Sequence, residues 1–387
     1  WTLRQLVEGG ADAFYKGAVA KKLVEDQQAR GGIMTARDLA RYRVREHKPL
    51  MGTFRDHAVA TAPPPSAGGE VLLTLLNMLE TQPADRAYRD PAALHLYVES
   101  AKRAFADRYL IADPKFVRDV TRELTTKERA RKLVAMIGTQ ASSAFDVPPG
   151  QAATLPSGVI PKVPIVVKPA ATGDMPLTGG SAQAPEPTKQ PHTTHLSVVD
   201  ADGNAVSLTA TVNYAFGSCV VAKGTGVLWN DEMDDFSVAP GIPNTYGVVG
   251  SEANAVAPGK VPASSMTPTM VFEGPTTDSP VRLVVGSPGG PRIPTTVAQI
   301  ILNYFDAKAD VQQAVAIGRV HHQHLPDTVM IERLGIDAAT VTELERRGHK
   351  IKRQETWSNA TAVAIDPKTK IRTGSADPRG VGAAMAE

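Results

Sequence analysis

"TTHLSVVDADGNAVSLTATVN", residues 193–213, is the stretch that decides how the chain folds. Two runs, "THLSVVD" and "AVSLTATVN", alternate apolar and polar residues, and "ADGN" lies between them. Alternation with period two marks a strand with two unlike faces. Asp-Gly in a short loop between such runs is a strong hairpin signal. The spacing therefore predicts a β-hairpin. On its return strand Val206, Leu208, Ala210 and Val212 share one face, and Ser207, Thr209, Thr211 and Asn213 the other. A turn centred on Asp202-Gly203 sets Thr211 across from the start of the first strand. Thr193, Thr211 and Asn213 are then expected close together, with a one-residue slip as the competing register.

Upstream of the hairpin the pattern dissolves. Residues 141–192 lack a helical period and carry too many prolines for a strand, so they read as a flexible, partly extended segment. A plain interdomain linker explains this composition as well. Thr193 at the seam admits a chemical reading. A threonine hydroxyl is a weak nucleophile unless a base lies beside it, and an N-terminal Thr supplies its own α-amine for that task. Such an amine has a pKa of about 8, suited to a general base. The reading requires a cut between His192 and Thr193.

Farther out, the first third is mostly helical. An apolar stripe through Leu3, Leu6, Val7, Phe14, Ala18, Leu23 and Val24 predicts a helix that runs to Gly31-Gly32. Thr35 and Asp38 resemble a capping box. "HAVATAPPPSAGGE" reads as a strand and a rigid corner. "EVLLTLLNMLE", "AALHLYVESAKRAFADRYL" and "TTKERARKLVAMI" read as helices. Beyond the hairpin, strands are expected at "VVAKGTGVLWN", "TPTMVFEG", "VRLVVGSPGG", "TVMIE" and "TAVAIDPKTKIRTGS", and helices at "TTVAQIILNYFD" and "AATVTELERRGH". Mixed strands and helices with hairpins indicate an α+β layered fold.

A net charge of +2 gives no case for nucleic acid as partner. No apolar run is long enough to span a bilayer. The single cysteine, Cys219, excludes an internal disulfide framework. The chain starts at Trp1, within what reads as a helix already under way, so a processed product or a missing beginning is expected.

Four clusters carry chemistry. "NDEMDDFS" gathers Asp231, Glu232, Asp234 and Asp235, a solvated acidic turn or a pocket for a ligand ammonium. "PASSMTPT" offers the hydroxyls of Ser264 and Ser265, either a turn or a carboxylate site. "VVGSPGGPR" follows an apolar strand with glycines whose N–H groups can stabilise an oxyanion. It lacks the lysine and spacing of a phosphate-binding loop. In "RVHHQHLPD", His321, His322, His324 and Asp327 do not repeat a known zinc spacing, and a structural role is expected.

Taken together, "TTHLSVVDADGNAVSLTATVN", "NDEMDDFS", "PASSMTPT", "GSPGGPRI" and "SADPRG" resemble the γ-glutamyltranspeptidase family of N-terminal-nucleophile hydrolases. They occur in that family's order over residues 193–387, with a looser likeness over 1–135. The resemblance implies a four-layer αββα sandwich, here incomplete at its N-terminus. It implies self-cleavage between His192 and Thr193, giving a large-subunit part, 1–192, and a small catalytic subunit, 193–387, that stay together as one structural unit. It further implies that Thr193 attacks glutathione or another γ-glutamyl compound and passes the acyl group to an amino acid, a peptide or water. Thr211 is then expected to orient the Thr193 hydroxyl, and Gly289 and Gly290 to form the oxyanion hole. Asn213, Glu232 and Asp235 are expected to hold the substrate α-amine, Ser264 and Ser265 its α-carboxylate, and Tyr246 belongs to a lid loop. No cofactor and no metal are implied. A periplasmic or secreted location is the family expectation. The family's carboxylate-binding arginine is expected upstream of residue 1, with Arg292 or Arg379 the first substitutes to consider. A cephalosporin acylase on the same scaffold, or a non-catalytic descendant of the fold, is the alternative function. A metallohydrolase built on the histidine cluster is a more distant one.

Overall fold

The computed structural model describes residues 1–387 except 85–89, 158, 160–192, 238, 240, 245, 334 and 387. It divides into two compact units. The smaller is Trp1–Lys48 with Thr211–Glu232, and the larger is Pro49–Ala210 with Met233–Glu387. Each unit draws on chain from both sides of residue 193.

In the smaller unit, α1 (Thr2–Tyr15), α2 (Ala18–Ala29) and α3 (Ala36–Arg41) follow one another. The single long helix expected up to Gly31-Gly32 is instead broken twice, by a kink within α1 at Gly10, whose φ is +59°, and between α1 and α2. The Lys16 and Gly17 N–H groups both donate to Asp12 O, at 2.9 and 2.8 Å, and close the first helix early. The apolar period runs on across the break, which is why periodicity alone did not reveal it. The α3 capping box forms as read, with the Thr35 N–H donating to Asp38 Oδ2 at 2.8 Å. Val19, Leu23 and Ala222 make a small buried core, with Phe14, Leu39, Val227 and Trp229 packed on it. The strand expected at "VVAKGTGVLWN" reduces to one bridge, Val221 to Leu228.

The larger unit is built on an antiparallel sheet of six strands. These are β1 (Leu50–Phe54), β2 (His57–Thr61), β5 (Thr269–Phe272), β6 (Val281–Gly286), β10 (Thr361–Ile365) and β11 (Arg372–Ala376), and they lie side by side in that order. One face carries α4 (Gly68–Leu79), α5 (Pro91–Asp107) and α8 (Ile293–Phe305). Leu283, Val285, Ala362 and Ala364 point into this helical core. By strand alternation Val284, Gly286, Thr361 and Val363 point the other way. Against that second face lies the expected hairpin, β3 (Thr194–Val199) and β4 (Ala205–Ala210). The larger unit thus stacks helix, sheet and sheet. Around this stack stand α6 (Thr121–Leu124), α7 (Lys127–Ala135) and α9 (Val311–Ala316). A three-stranded sheet of β7 (Val320–His321), β8 (Val329–Glu332) and β9 (Ile351–Gln354) completes the unit. In it α10 (Ala338–Arg346) links the parallel pair β8 and β9.

The hairpin has the unslipped register, His195 opposite Thr209 and Thr194 opposite Ala210. Its polar face is the one turned inward. The Ser207 hydroxyl donates to Val285 O at 3.2 Å and accepts from the Thr269 N–H at 3.0 Å. Ser197 donates to Thr361 O at 3.3 Å. His195 bonds Thr209 Oγ1 through Nδ1 at 2.7 Å and Ser197 Oγ through Nε2 at 3.1 Å. Leu196, Val198, Val206 and Leu208 point outward, exposed by 43–51%. The return strand stops at Ala210 rather than running to Asn213. There the Thr211 hydroxyl accepts the Asn213 N–H at 2.8 Å and Asn213 turns to φ +69°.

Residues 141–157 are not the flexible segment expected. The Ser142 N–H donates to Glu99 Oε1 at 3.1 Å, Ala144 to Asp327 Oδ2 at 2.9 Å and Gly150 to Asp107 Oδ1 at 2.8 Å. Lys102 donates to Ser142 O. Pro and Gly signalled irregular backbone here, and buried charged groups supply the hydrogen bonds that order it. Residues 158 and 160–192 of the Pro-rich segment, His192 among them, lie outside the described residues.

A Cβ added to Gly286 would lie 2.1–2.6 Å from Cε1, Nδ1 and Nε2 of the His195 ring. Gly286→Ala is therefore expected to destabilise by about 1–3 kcal/mol through overpacking. The cost should shrink in a His195→Ser background; additive losses in urea unfolding would contradict the contact. Burial also holds several histidines neutral. It pulls His195 and His324 from 6.5 to about 4, and His321 and His349 to about 3. The unfolded chain takes up these protons first as pH falls. Stability is thus full above about pH 6.5, declines towards pH 3–4, and gains no further loss from these groups below that. The thermal midpoint should follow this course, with a shallower slope for His195→Gln; an unchanged slope would remove His195 from the account.

Candidate active site

Thr193 is a half-buried bend residue immediately before β3. Two residues later the His195 ring lies against Gly286, the last residue of β6. From Gly286 the chain runs through Ser287 and Pro288 to Gly289 and Gly290. These two have φ of +136° and +57°, values that disfavour any side chain. Space forbids one as well. A Cβ on Gly289 would collide with Ser358 Oγ, and one on Gly290 would lie 3.0 Å from the Tyr246 ring. The Tyr246 carbonyl accepts from Gln323 Nε2 at 3.0 Å, and its N–H donates to Asn244 Oδ1 at 3.1 Å. The structure therefore brings the start of the hairpin, the glycine turn and Tyr246 into one neighbourhood.

Ser264 and Ser265 are pinned to the corner that precedes α4. Ser264 O accepts from the Ala67 N–H at 2.9 Å, the Ser264 N–H donates to Pro65 O at 3.2 Å, and Ser66 Oγ donates to Met266 O at 2.6 Å. This explains "APPPSAGGE": its backbone presents the Ser-Ser loop. Asn254 joins that loop to the acidic one. Its Nδ2 donates to Asp235 O at 2.7 Å, and its Oδ1 accepts the Ala263 N–H at 2.9 Å. A cavity of about 390 Å³ opens beside this clamp, with Asp234 and Asp235, Asn244 and Asn254, and Arg108 in its wall. Asn254 and Arg108 were missed in the sequence. Asn254 belongs to no motif, and Arg108 ends an amphipathic helix, where a charge is ordinary.

Thr211, Asn213 and Glu232 belong to the smaller unit. There Asn213 Nδ2 donates to Asp231 O at 3.3 Å, the Tyr214 N–H to Asp231 Oδ1 at 2.9 Å and the Glu232 N–H to Asn230 Oδ1 at 3.0 Å. Residues 211–214 and 230–232 are thereby tied into one knot.

The other candidates have structural employment. Arg379 pairs with Glu332 at 2.7 Å and Asp377 at 3.0 Å. Arg292 lies 5.3 Å over the Trp357 ring. Neither is placed to substitute for a carboxylate-binding arginine without losing these contacts. In the histidine cluster, His321 bonds Thr295 Oγ1 at 2.8 Å, His322 bonds Asp327 Oδ1 at 3.1 Å and His324 bonds Ala144 O at 2.8 Å.

Known proteins resemble this chain in fold and in sequence. The cephalosporin acylase of Bacillus halodurans superposes with a TM-score of 0.78 over 100% of this chain and 62% of its own, at 24% identity, which establishes the N-terminal-nucleophile hydrolase fold. The glutathione hydrolase proenzyme of Escherichia coli K12 is 37% identical over 98% of this chain and 59% of its own length. That of Pseudomonas sp. strain A14 is 38% identical over 94% and 57%. The chain thus spans about three fifths of the length of these relatives. The sequence model described as Gamma-glutamyltranspeptidase matches residues 1–387. By that match, which takes in every cluster of the site, the chain belongs to the γ-glutamyltranspeptidase family.

Proposed function

We propose that this chain carries the nucleophile and the head-group site of a γ-glutamyl transferase/hydrolase that matures by cutting itself between His192 and Thr193. The observation that carries the reading is the His195–Gly286 contact, which seats the hairpin led by Thr193 at the root of the Gly289–Gly290 turn. Relatives named proenzymes support the maturation step. In that step the Thr193 hydroxyl attacks the His192 carbonyl, the peptide C–N bond breaks as the ester forms and frees the α-amine of Thr193, and water then hydrolyses the ester to the His192 carboxylate and the Thr193 hydroxyl. The amine then serves as base for the same hydroxyl. Thr193 attacks the γ-carbonyl of glutathione or another γ-glutamyl amide, and the Gly289 and Gly290 N–H groups receive the negative charge on the carbonyl oxygen. The C–N bond breaks, the leaving amine takes the proton, and the γ-glutamyl group stays on Thr193 as an ester. An amino acid, a peptide or water then takes the group.

Within this scheme Thr211 orients the Thr193 hydroxyl. Asp235, with Asn213 and Glu232, holds the substrate ammonium; Ser264 and Ser265 donate to its carboxylate; and Tyr246 covers the glycine turn. The two products, 1–192 and 193–387, remain associated. The pairing of β2 with β5 supports this, because the strands come from opposite sides of the cut and share one ladder.

Incubated protein should become two co-eluting chains, the second beginning at Thr193, and Thr193→Ala should stay whole. Splitting of the Ala variant at the same bond, read by intact mass, would assign the cut to an outside protease. Asp235→Ala should weaken γ-glutamyl substrates by about 2–5 kcal/mol, the cost of stripping one partner from a buried charge pair. Glutaryl analogues, which lack the α-amine, should be little affected, and equal losses in kcat/KM for both would remove Asp235 from the ammonium site.

A further inference from the structure

Arg108 stands where α5 ends, in a short 3-10 turn of Arg108–Leu110. It lies in the wall of the cavity that also holds Asp234, Asp235 and Asn254. Its Nη2 donates to Ser265 Oγ at 3.4 Å. Its Nε is buried without a hydrogen-bond partner. Burial pulls the guanidinium below its ordinary value, and the charge of Asp235 pushes it back up. One cation thus acts at once on the residue read as carboxylate donor and on the residue read as ammonium acceptor.

The chemistry of that position is specific. A guanidinium only donates, so its bond to Ser265 fills a lone pair of the hydroxyl oxygen and leaves the Ser265 hydrogen free to point elsewhere. A hydroxyl without this partner rotates, and donates to whichever acceptor is nearest. The same guanidinium attracts the Asp235 carboxylate in the wall of the shared cavity. Asn254 holds the Asp235 backbone; Arg108 acts on the side chain.

We propose that Arg108 is a positioning residue for the head-group site, fixing the Ser265 hydroxyl as a donor and drawing the Asp235 carboxylate into place before substrate arrives. The assignment rests on the γ-glutamyl reading above. It makes Arg108 matter for substrate affinity, while the acyl-transfer step and the cut before Thr193 do not depend on it.

The test uses Arg108→Gln and Arg108→Lys in the full-length protein, with KM and kcat for a γ-glutamyl anilide, the rate of cleavage before Thr193 and the thermal midpoint. Arg108→Gln should raise KM roughly tenfold or more, as for loss of a charge-assisted hydrogen bond, with kcat within about twofold and cleavage unchanged. Arg108→Lys restores charge without the planar fork and should recover only part of the loss. In a Ser265→Ala background the KM effect of Arg108→Gln should be smaller, because part of it runs through that hydroxyl. An unchanged KM, strictly additive losses, or kcat and cleavage falling together with the thermal midpoint would overturn the proposal. Should Arg108→Gln not fold, Arg108→Lys decides alone, and a wild-type KM in that variant refutes it. Failure of the wild-type protein to turn over any γ-glutamyl anilide would refute the functional reading and this assignment with it. Normal wild-type turnover with an indifferent Arg108 would refute the assignment only.

Discussion

A histidine ring packed on a residue with no side chain is the contact on which the chemistry proposed for the larger unit depends. His195 fits over Gly286 because nothing else can stand there. That fit draws the hairpin onto the six-stranded sheet, and it does so with polar groups. Ser197, Ser207 and Thr209 are half-buried, and their hydroxyls bond the neighbouring ring or the sheet's main chain. Buried hydroxyls that find partners avoid the cost of desolvation and fix a single register. Greasy side chains at the same positions would bury more apolar surface but leave sliding possible. Register matters here, since a shift of one residue would turn Thr193 to the other face.

The site follows from the same economy of backbone. Ser264 and Ser265 are presented by the corner before α4, and Asp235 is linked to them through Asn254. Tyr246 meets Gly290 on the glycine turn that β6 feeds. The proposed binding groups thus sit on loops: the Ser264 loop is tied to the corner before α4 by main-chain hydrogen bonds, the Asp235 loop through the Asn254 side chain and the Tyr246 loop through the Gln323 side chain. Such scaffolding would let the proposed head-group site take its ligand without large rearrangement. The interleaved strands suit the proposed maturation too, because a cut at residue 193 leaves the β2–β5 ladder intact.

Much of this was legible in the residues, unevenly. The hairpin was, because "ADGN" specifies its own turn whatever surrounds it. The strands β5, β6 and β8, with helices α4, α5 and α8, were equally plain from period and length. Which face of the hairpin points inward was not, since alternation reports two faces and says nothing of what covers them. Residues 141–157 misled because proline and glycine predict irregular backbone, while order there comes from Glu99, Asp107 and Asp327, distant in sequence. The break at Gly17 hid inside a continuous apolar stripe. Asn254 and Arg108 act through tertiary hydrogen bonds with no local signature, so no motif could have marked them.

The claim at the centre is that the hydroxyl of Thr193 carries the γ-glutamyl group. Rapid acid quench of the protein during turnover of a γ-glutamyl anilide, followed by peptide mass mapping, tests it most directly. The account predicts the added mass of one γ-glutamyl group, labile to hydroxylamine as an ester is, on the peptide that begins at Thr193. The same adduct on any other residue, or turnover at full rate by chain still joined at His192–Thr193, would contradict it.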